Sequence, residues 1–556
     1  MSETKDTKEN DIVSREVSED VGIVIAENGD QLQRKLGNRQ VQLLTIGGAI
    51  GTGLFVSIGG ALNKGGPAGL FLGWFFYCCI EGIINNCMAE MTVYMPVSGG
   101  YLRLAGKWVD DAFSFMAGWN FLAYIGLGIP FEITAISLVL SYWRDDIPIA
   151  AVCCVCIALY AAINLVAVHV YGEAEFWLSS GKVFLILICY CFTFIAMVGG
   201  NPKHDAFGFR YWSHPGAFAE YAHTGNLGRF EGFLYCFFLG PLLITGPEYI
   251  SMVAAETKHP RVYLKQAFKT VYWRFAFIFV GGSICVGICI AYNDPTLVEI
   301  LHGVRSGKGT ANASPYVIAM QNLGVEGLPH LVNALLITSI FSAGNTYIYV
   351  ASRILYGLAL EGRAPAVMKR CTKKGVPIWC LAFVLALSCL SLLQLSSGTA
   401  QVLSWLVNII TGAGIINCMV MTTTYLFWHR ACKAQGLNRK TLPYFARFQP
   451  WTTWIALGLE TLILIFYGYA TFLPGWFTLS DFFSYYTMVG LAPILYFGWK
   501  IIKRTKIVKP SEADLVWDRP LIDAYEASII SPPISFWTEM LQLVGFRRHI
   551  RDDVRA

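Results

Sequence analysis

Twice along this 556-residue chain, an apolar stretch long enough to cross a bilayer is interrupted near its middle. The first reads Leu43-Leu44-Thr45-Ile46-Gly47-Gly48-Ala49-Ile50-Gly51-Thr52-Gly53-Leu54-Phe55. The second reads Leu242-Leu243-Ile244-Thr245-Gly246-Pro247-Glu248-Tyr249-Ile250. Glycine costs a helix interior about 1 kcal/mol relative to alanine, and proline frees the carbonyl one turn back. In hydrocarbon, non-helical backbone survives only where it lines a cavity or is buried in protein. About five hydrophobic segments separate the two interruptions, and paired broken segments at matching places of two halves point to a solute site between them. The expectation is a membrane protein that holds a small solute at its midplane.

The rest of the chain agrees. It is 55% hydrophobic and 14% charged, where soluble domains carry roughly 25% charged residues. A spanning helix needs about 20 apolar residues. Twelve such segments are predicted: 41–62, 67–92, 113–142, 148–169, 178–199, 231–254, 271–292, 328–352, 377–395, 401–429, 451–472 and 479–501. The third is long enough to require tilt. With the N-terminus inside, inner segments receive 26 Lys and Arg against 7 outside, a strong positive-inside bias. Both termini are then cytosolic. Residues 1–40 read as a disordered tail without a secretory signal, 41–501 as the twelve-helix domain and 502–556 as a cytoplasmic tail. In that tail Phe536, Trp537, Met540, Leu541 and Val544 fall at helical spacing, suited to lie on the membrane or to pack under the domain.

Most of the sixteen cysteines lie inside apolar runs and none in a predicted outer loop, so no disulfide framework is expected. No metal-ligand spacing and no nucleophile–base arrangement stand out. No metal, cofactor, nucleic-acid partner or enzymatic activity is expected. Asn312-Ala313-Ser314 forms a glycosylation sequon in a predicted outer loop, with Pro315 after it disfavouring use.

The first interruption offers Gly48, Ala49, Ile50, Gly51, Thr52 and Gly53. Unwound backbone here presents N–H groups backed by the positive end of the following half-helix, a geometry that binds a carboxylate. Gly47 and Gly51 equally make a small-residue packing face. The second offers Thr245, Gly246 and Glu248, with carbonyls freed by Pro247 to face an ammonium group. Glu248 and Glu132 are carboxylates at membrane depth, expensive enough to imply function. Lys182 is suited to release a proton if desolvated, or snorkels to the inner interface if it sits near a helix start. Glu248, Ser339 and Ser342 could serve a proton-coupling site with it, or the two serines could hold helices together with Asn345.

These residues resemble the fungal amino-acid permeases of the amino acid–polyamine–organocation superfamily. The likeness rests on Gly48-Ala49-Ile50-Gly51-Thr52-Gly53-Leu54-Phe55, Ala89-Glu90-Met91 with Pro96-Val97-Ser98-Gly99-Gly100, and Glu175-Phe176-Trp177 before Lys182. Glu248 with Ala254-Ala255-Glu256 and Pro260-Arg261, and Ser342-Ala343-Gly344-Asn345, add to it. It spans residues 38 to 505. It implies an all-α, leucine-transporter-like inverted 5+5 repeat with helices 1 and 6 discontinuous and helices 11 and 12 added. It also implies a plasma-membrane proton symporter of amino acids. In that scheme the first break takes the substrate carboxylate, Thr245–Glu248 its amine, and Lys182 the coupling site, with Ser339 or Ser342 near it. The family usually places Phe-Ala-Gly or Phe-Ser-Gly before the glutamate, whereas this chain has Ile244-Thr245-Gly246-Pro247-Glu248. That departure favours the carnitine and polyamine subgroup as the alternative, with Glu132 and Glu248 holding a second positive charge. The long tail raises a third reading, a transporter-like nutrient sensor.

Overall fold

The computed structural model describes residues 34, 36–144, 146–166, 168–301, 314–372, 375–529 and 532–543. Residues 1–33 of the first expected tail, the Asn312 sequon and Val544 lie outside them.

Helix 1 opens as α1, Asn38–Ala49. After the break it resumes at Thr52 and runs through a wider π-wound segment, Gly53–Ser57, into α2, Ile58–Tyr94. α2 is two helices joined at a kink. Gly66 adopts φ 70°, ψ 174° and Pro67 follows it. A side chain at Gly66 would meet Ala219 N at 2.6 Å and Ala217 O at 2.8 Å, so glycine alone allows this turn. The next helices are α3, Gly100–Trp108, α4, Asp111–Leu140, α5, Ile149–Val166, and α6, Val168–Met197.

Helix 6 comes in three pieces: α7, Gly225–Phe238, α8, Gly240–Leu243, and α9, Pro247–Met252. Helix 7 joins α10, Pro260–Arg274, to α11, Gly281–Cys289, through a second π-wound segment. α12 (Leu328–Leu360), α13 (Ile378–Ser388), α14 (Thr399–Ala434), α15 (Trp451–Phe466) and α16 (Leu479–Lys503) complete the domain.

Among the described residues nine helical stretches are long and apolar enough to cross a membrane, and Ile149–Leu165 is apolar but shorter. α16 is helical over 25 residues but, with Ser480, Asp481 and Ser484 in its first two turns, it is less apolar. α4 packs against α12, α14 and α16, forming a scaffold, while α1 packs against α6 and α12.

The described part of the C-terminal tail is packed under the domain. Its first stretch pairs Val508 N with Val109 O at 2.8 Å, and Trp108 Nε1 donates to Asp514 O at 2.9 Å. α17, Arg519–Ser528, offers Asp523 and Glu526 to Arg261 at the start of α10. α18, Phe536–Leu543, places the Glu539 carboxylate on the N–H groups of Asn38 (3.2 Å) and Arg39 (2.7 Å). These are unsatisfied donors of the first turn of α1, so Glu539 acts as a cap supplied from the other end of the chain. Trp537 and Leu541 of the amphipathic run remain exposed.

Candidate functional site

Helices 1 and 6 cross so that opposite halves meet. α1 touches α9, and Gly53–Ser57 touches α8. The two breaks therefore lie at one depth, running in opposite directions.

At the first break α1 ends at Ala49 and Ile50 turns extended, with φ −108° and ψ 104°. Tyr347 on α12 donates its hydroxyl to the freed Gly48 carbonyl at 3.3 Å. The helix restarts at Thr52, whose N–H faces both oxygens of Glu132 at 3.3 and 3.4 Å and whose hydroxyl donates to Glu132 Oε2 at 2.5 Å. Glu132 comes from α4, and both residues are buried. Gly51 leaves the room for this contact, because a Cβ there would strike the Glu132 carboxylate and come within 3.1 Å of Ala343 Cβ.

At the second break α8 ends at Leu243. Gly246 sits at φ 159°, ψ −50°, and Pro247 occupies the first position of α9. Proline costs nothing there, since the first-turn donor it lacks has no partner within the helix. The Gly246 N–H donates to Glu248 Oε2 at 3.1 Å.

A narrow cavity lies between the breaks. Of the predicted residues, Gly51, Gly53, Glu132 and Thr245 line it. The others sit around it. Gly48 is still helical and lies under the Tyr249 ring, where a Cβ would approach to 3.0 Å. Ala49 ends the helix, and Ile50 is buried in the core. Thr52 meets the cavity through Glu132, while Gly246 and Glu248 follow Thr245 in the chain and are not part of the cavity wall. The broken part of the first run is thus shorter than its glycine content suggests.

Lys182 is fully buried in the middle of α6. That helix begins at Val168, ten residues before the predicted start, so the residue is not at a helix end and does not snorkel. Its charge acts on Glu132. Ser339 and Ser342 are buried on α12, which packs on both α1 and α6. Asn345 accepts a hydrogen bond from Asn164 Nδ2 at 2.8 Å, tying α12 to α5.

Sequence reasoning missed the aromatic wall. Tyr124, Tyr249 and Tyr347 line the cavity, the last two with rings stacked 6.5 Å apart. Among 27 tyrosines, only the position of Tyr249 directly after Glu248 could have singled one out. It also missed Glu81 and Glu460, both fully buried. Glu81 accepts a weak contact from Cys418 Sγ at 3.7 Å and lies within electrostatic reach of Glu248 and Glu460.

The chain is similar along most of its length to curated fungal permeases. It is 44% identical over 505 residues to the general amino acid permease AGP2 of Saccharomyces cerevisiae, covering 89% of this chain and 84% of that one. It is 37% identical over 494 residues to a proline-specific permease of Emericella nidulans, covering 88% and 89%. A lysine/arginine permease of Candida albicans, CAN1, is 31% identical over 93% of this chain and 90% of its own length. Among solved structures, a manganese transporter of Eremococcus coleocola superposes with a TM-score of 0.54 at 14% identity, covering 84% of this chain and 94% of that one. That likeness is one of fold, the leucine-transporter-like arrangement with broken helices 1 and 6. The amino acid permease family matches residues 40–511, and the chain belongs to that family.

Proposed function

We propose that the protein is a plasma-membrane permease that imports amino acids with protons, through twelve crossings and with both termini in the cytosol. The observation that carries this reading is the facing pair of breaks enclosing one cavity, with Gly51 and Gly53 on one side and Thr245 on the other. In this reading the N–H groups after Gly51 hold the solute carboxylate, since a helix N-terminus favours an anion. Thr245 to Glu248 face the ammonium group, as a carboxylate and freed carbonyls would. Lys182, buried and in electrostatic reach of Glu132, is the fixed cation of the proton-coupling site, with Glu248, Ser339 and Ser342 as its other members. The experiment is uptake of labelled amino acids in permease-deficient yeast expressing this chain, across external pH and with a proton uncoupler. Accumulation that the uncoupler abolishes supports the reading. Uptake indifferent to the uncoupler contradicts proton coupling, and no uptake of any amino acid contradicts the substrate class.

A second reading, an organic cation or zwitterion such as a polyamine or carnitine, is favoured by the two carboxylates at the breaks, Glu132 on the cavity wall and Glu248 after Thr245. Spermidine and carnitine uptake in the same cells separates the two. The sensor reading draws on the tail docked under α1 and α10. Removing residues 511–556 without effect on nutrient signalling or surface abundance would end it.

A further inference from the structure

The anion cradle of the first break is already filled. Thr52, the first residue of the resumed helix, gives its N–H and its hydroxyl to Glu132, a carboxylate borrowed from α4. Both contacts are buried, and Gly51 is hollowed out to admit them. A solute carboxylate seeking the same donors meets one that is in place. Two carboxylates cannot share one N–H and one hydroxyl, and their repulsion in a low-dielectric site is large.

We propose that Glu132 is a built-in stand-in for the solute carboxylate, and that an amino acid binds by exchange: its carboxylate takes the Thr52 N–H while Glu132 leaves it and accepts a proton. This rests on the amino-acid reading above and deepens it, because it turns proton uptake into a condition of binding. The neutral carboxyl is the weaker acceptor, since hydrogen bonds to an ionised acceptor are roughly twice as strong as neutral ones. A proton arriving on Glu132 therefore loosens its hold on Thr52 and clears the cradle. The groups that face Glu132 and tune the exchange come from each neighbouring element. Lys182 on α6 acts on it electrostatically, and Tyr347 on α12 lines the same cavity. Tyr160 on α5 and the Glu132 side chain both lie against the position a Cβ would take at Gly344. Glu248 acts on Tyr347 from the second break. Glu132 thus holds the cradle in register until the solute arrives, and then takes the proton itself.

The test is counterflow in liposomes containing the purified full-length protein, with equal pH on both sides so that no gradient enters. The probe is L-proline, L-lysine or L-glutamate, whichever the uptake panel accepts. Wild-type half-saturation is expected to fall about tenfold between pH 7.5 and pH 5.5. In Glu132→Gln it is expected to be low and the same at both pH values, with the maximal rate changed less than the half-saturation. An unchanged pH slope in Glu132→Gln, or half-saturation raised at both pH values, overturns the proposal. The native protein supplies a second readout that needs no variant. Titration calorimetry in two buffers of different ionisation enthalpy is expected to report about one proton taken up per amino acid bound at pH 7. Binding without proton uptake overturns the exchange. Failure of the wild type to accept any amino acid counts against the permease reading instead, so the two failures are distinguishable.

Discussion

The two breaks use glycine for different reasons. Gly51 is not in the left-handed region and is needed for space, because Glu132 and Ala343 fill the volume a side chain would occupy. Gly246 has space, with Val271 Cγ1 the nearest atom at 3.9 Å to an added Cβ, and is needed for its backbone at φ 159°. Their carboxylates differ in the same way. The second break satisfies its N–H from within, through Glu248 two residues on. The first borrows Glu132 from α4, part of the scaffold. A break that closes on itself moves as a unit, whereas one that closes on another helix registers any shift between the two. The first break is therefore where solute, proton and conformational change can be linked, and the second is a preformed wall.

The largest expected effect comes from filling the first break. Gly51→Val is expected to abolish uptake while the protein still reaches the surface, since overpacking costs about 1–3 kcal/mol, less than the stability of a domain. Uptake assay with surface labelling checks it. Lys182→Met removes the charge that acts on Glu132 and leaves the second break untouched. Accumulation driven by a pH gradient is expected to disappear while equilibrium binding persists, and vesicle uptake with and without an imposed gradient reads the difference. Gly246→Ala is expected to be milder than Gly51→Val, because strain of about 1–3 kcal/mol replaces a collision. A several-fold loss of uptake rate in that variant, with affinity nearly kept, would sharpen the contrast. A complete loss would erase it.

The smallest expected effect lies at the base of helix 1. Glu539→Ala uncaps α1 but touches nothing at α9. Amide exchange is expected to rise in residues 38–49 and to stay constant in 247–252. Burial pushes the Glu539 carboxyl above the ordinary glutamate value, against the Arg39 and Asn38 hydrogen bonds that lower it. A carboxyl raised in the docked form binds its proton more tightly there, so docking strengthens below the free value and weakens as pH rises through the docked one. Protection of residues 38–49 is accordingly expected to increase as pH falls from 7 towards 5.

What could be read from the sequence was whatever glycine, proline and apolar runs write into it. Both breaks were legible because Gly51 and Gly246-Pro247 interrupt otherwise apolar stretches. The length of the first break was not, because Gly48 can stay helical when Tyr249 packs over it. The start of α6 was hidden because His169, Glu173 and Glu175 mask its first turns, and so Lys182 read as a residue near a helix end. Glu132 was legible as a costly intramembrane acid. Its partner was not, since the contact with Thr52 spans 80 residues and depends on how α4 crosses helix 1. Glu539 capping α1 across 501 residues is the same case at longer range.

The account stands on the two breaks jointly enclosing the solute. An experimental structure of the full-length protein, saturated with the amino acid that the uptake panel accepts, addresses that directly. The expected result is density for the solute between Gly51–Gly53 and Thr245, with its carboxylate on Thr52 N–H and Glu132 withdrawn. Continuous helices 1 and 6, or a solute bound elsewhere with Glu132 still on Thr52, would contradict it.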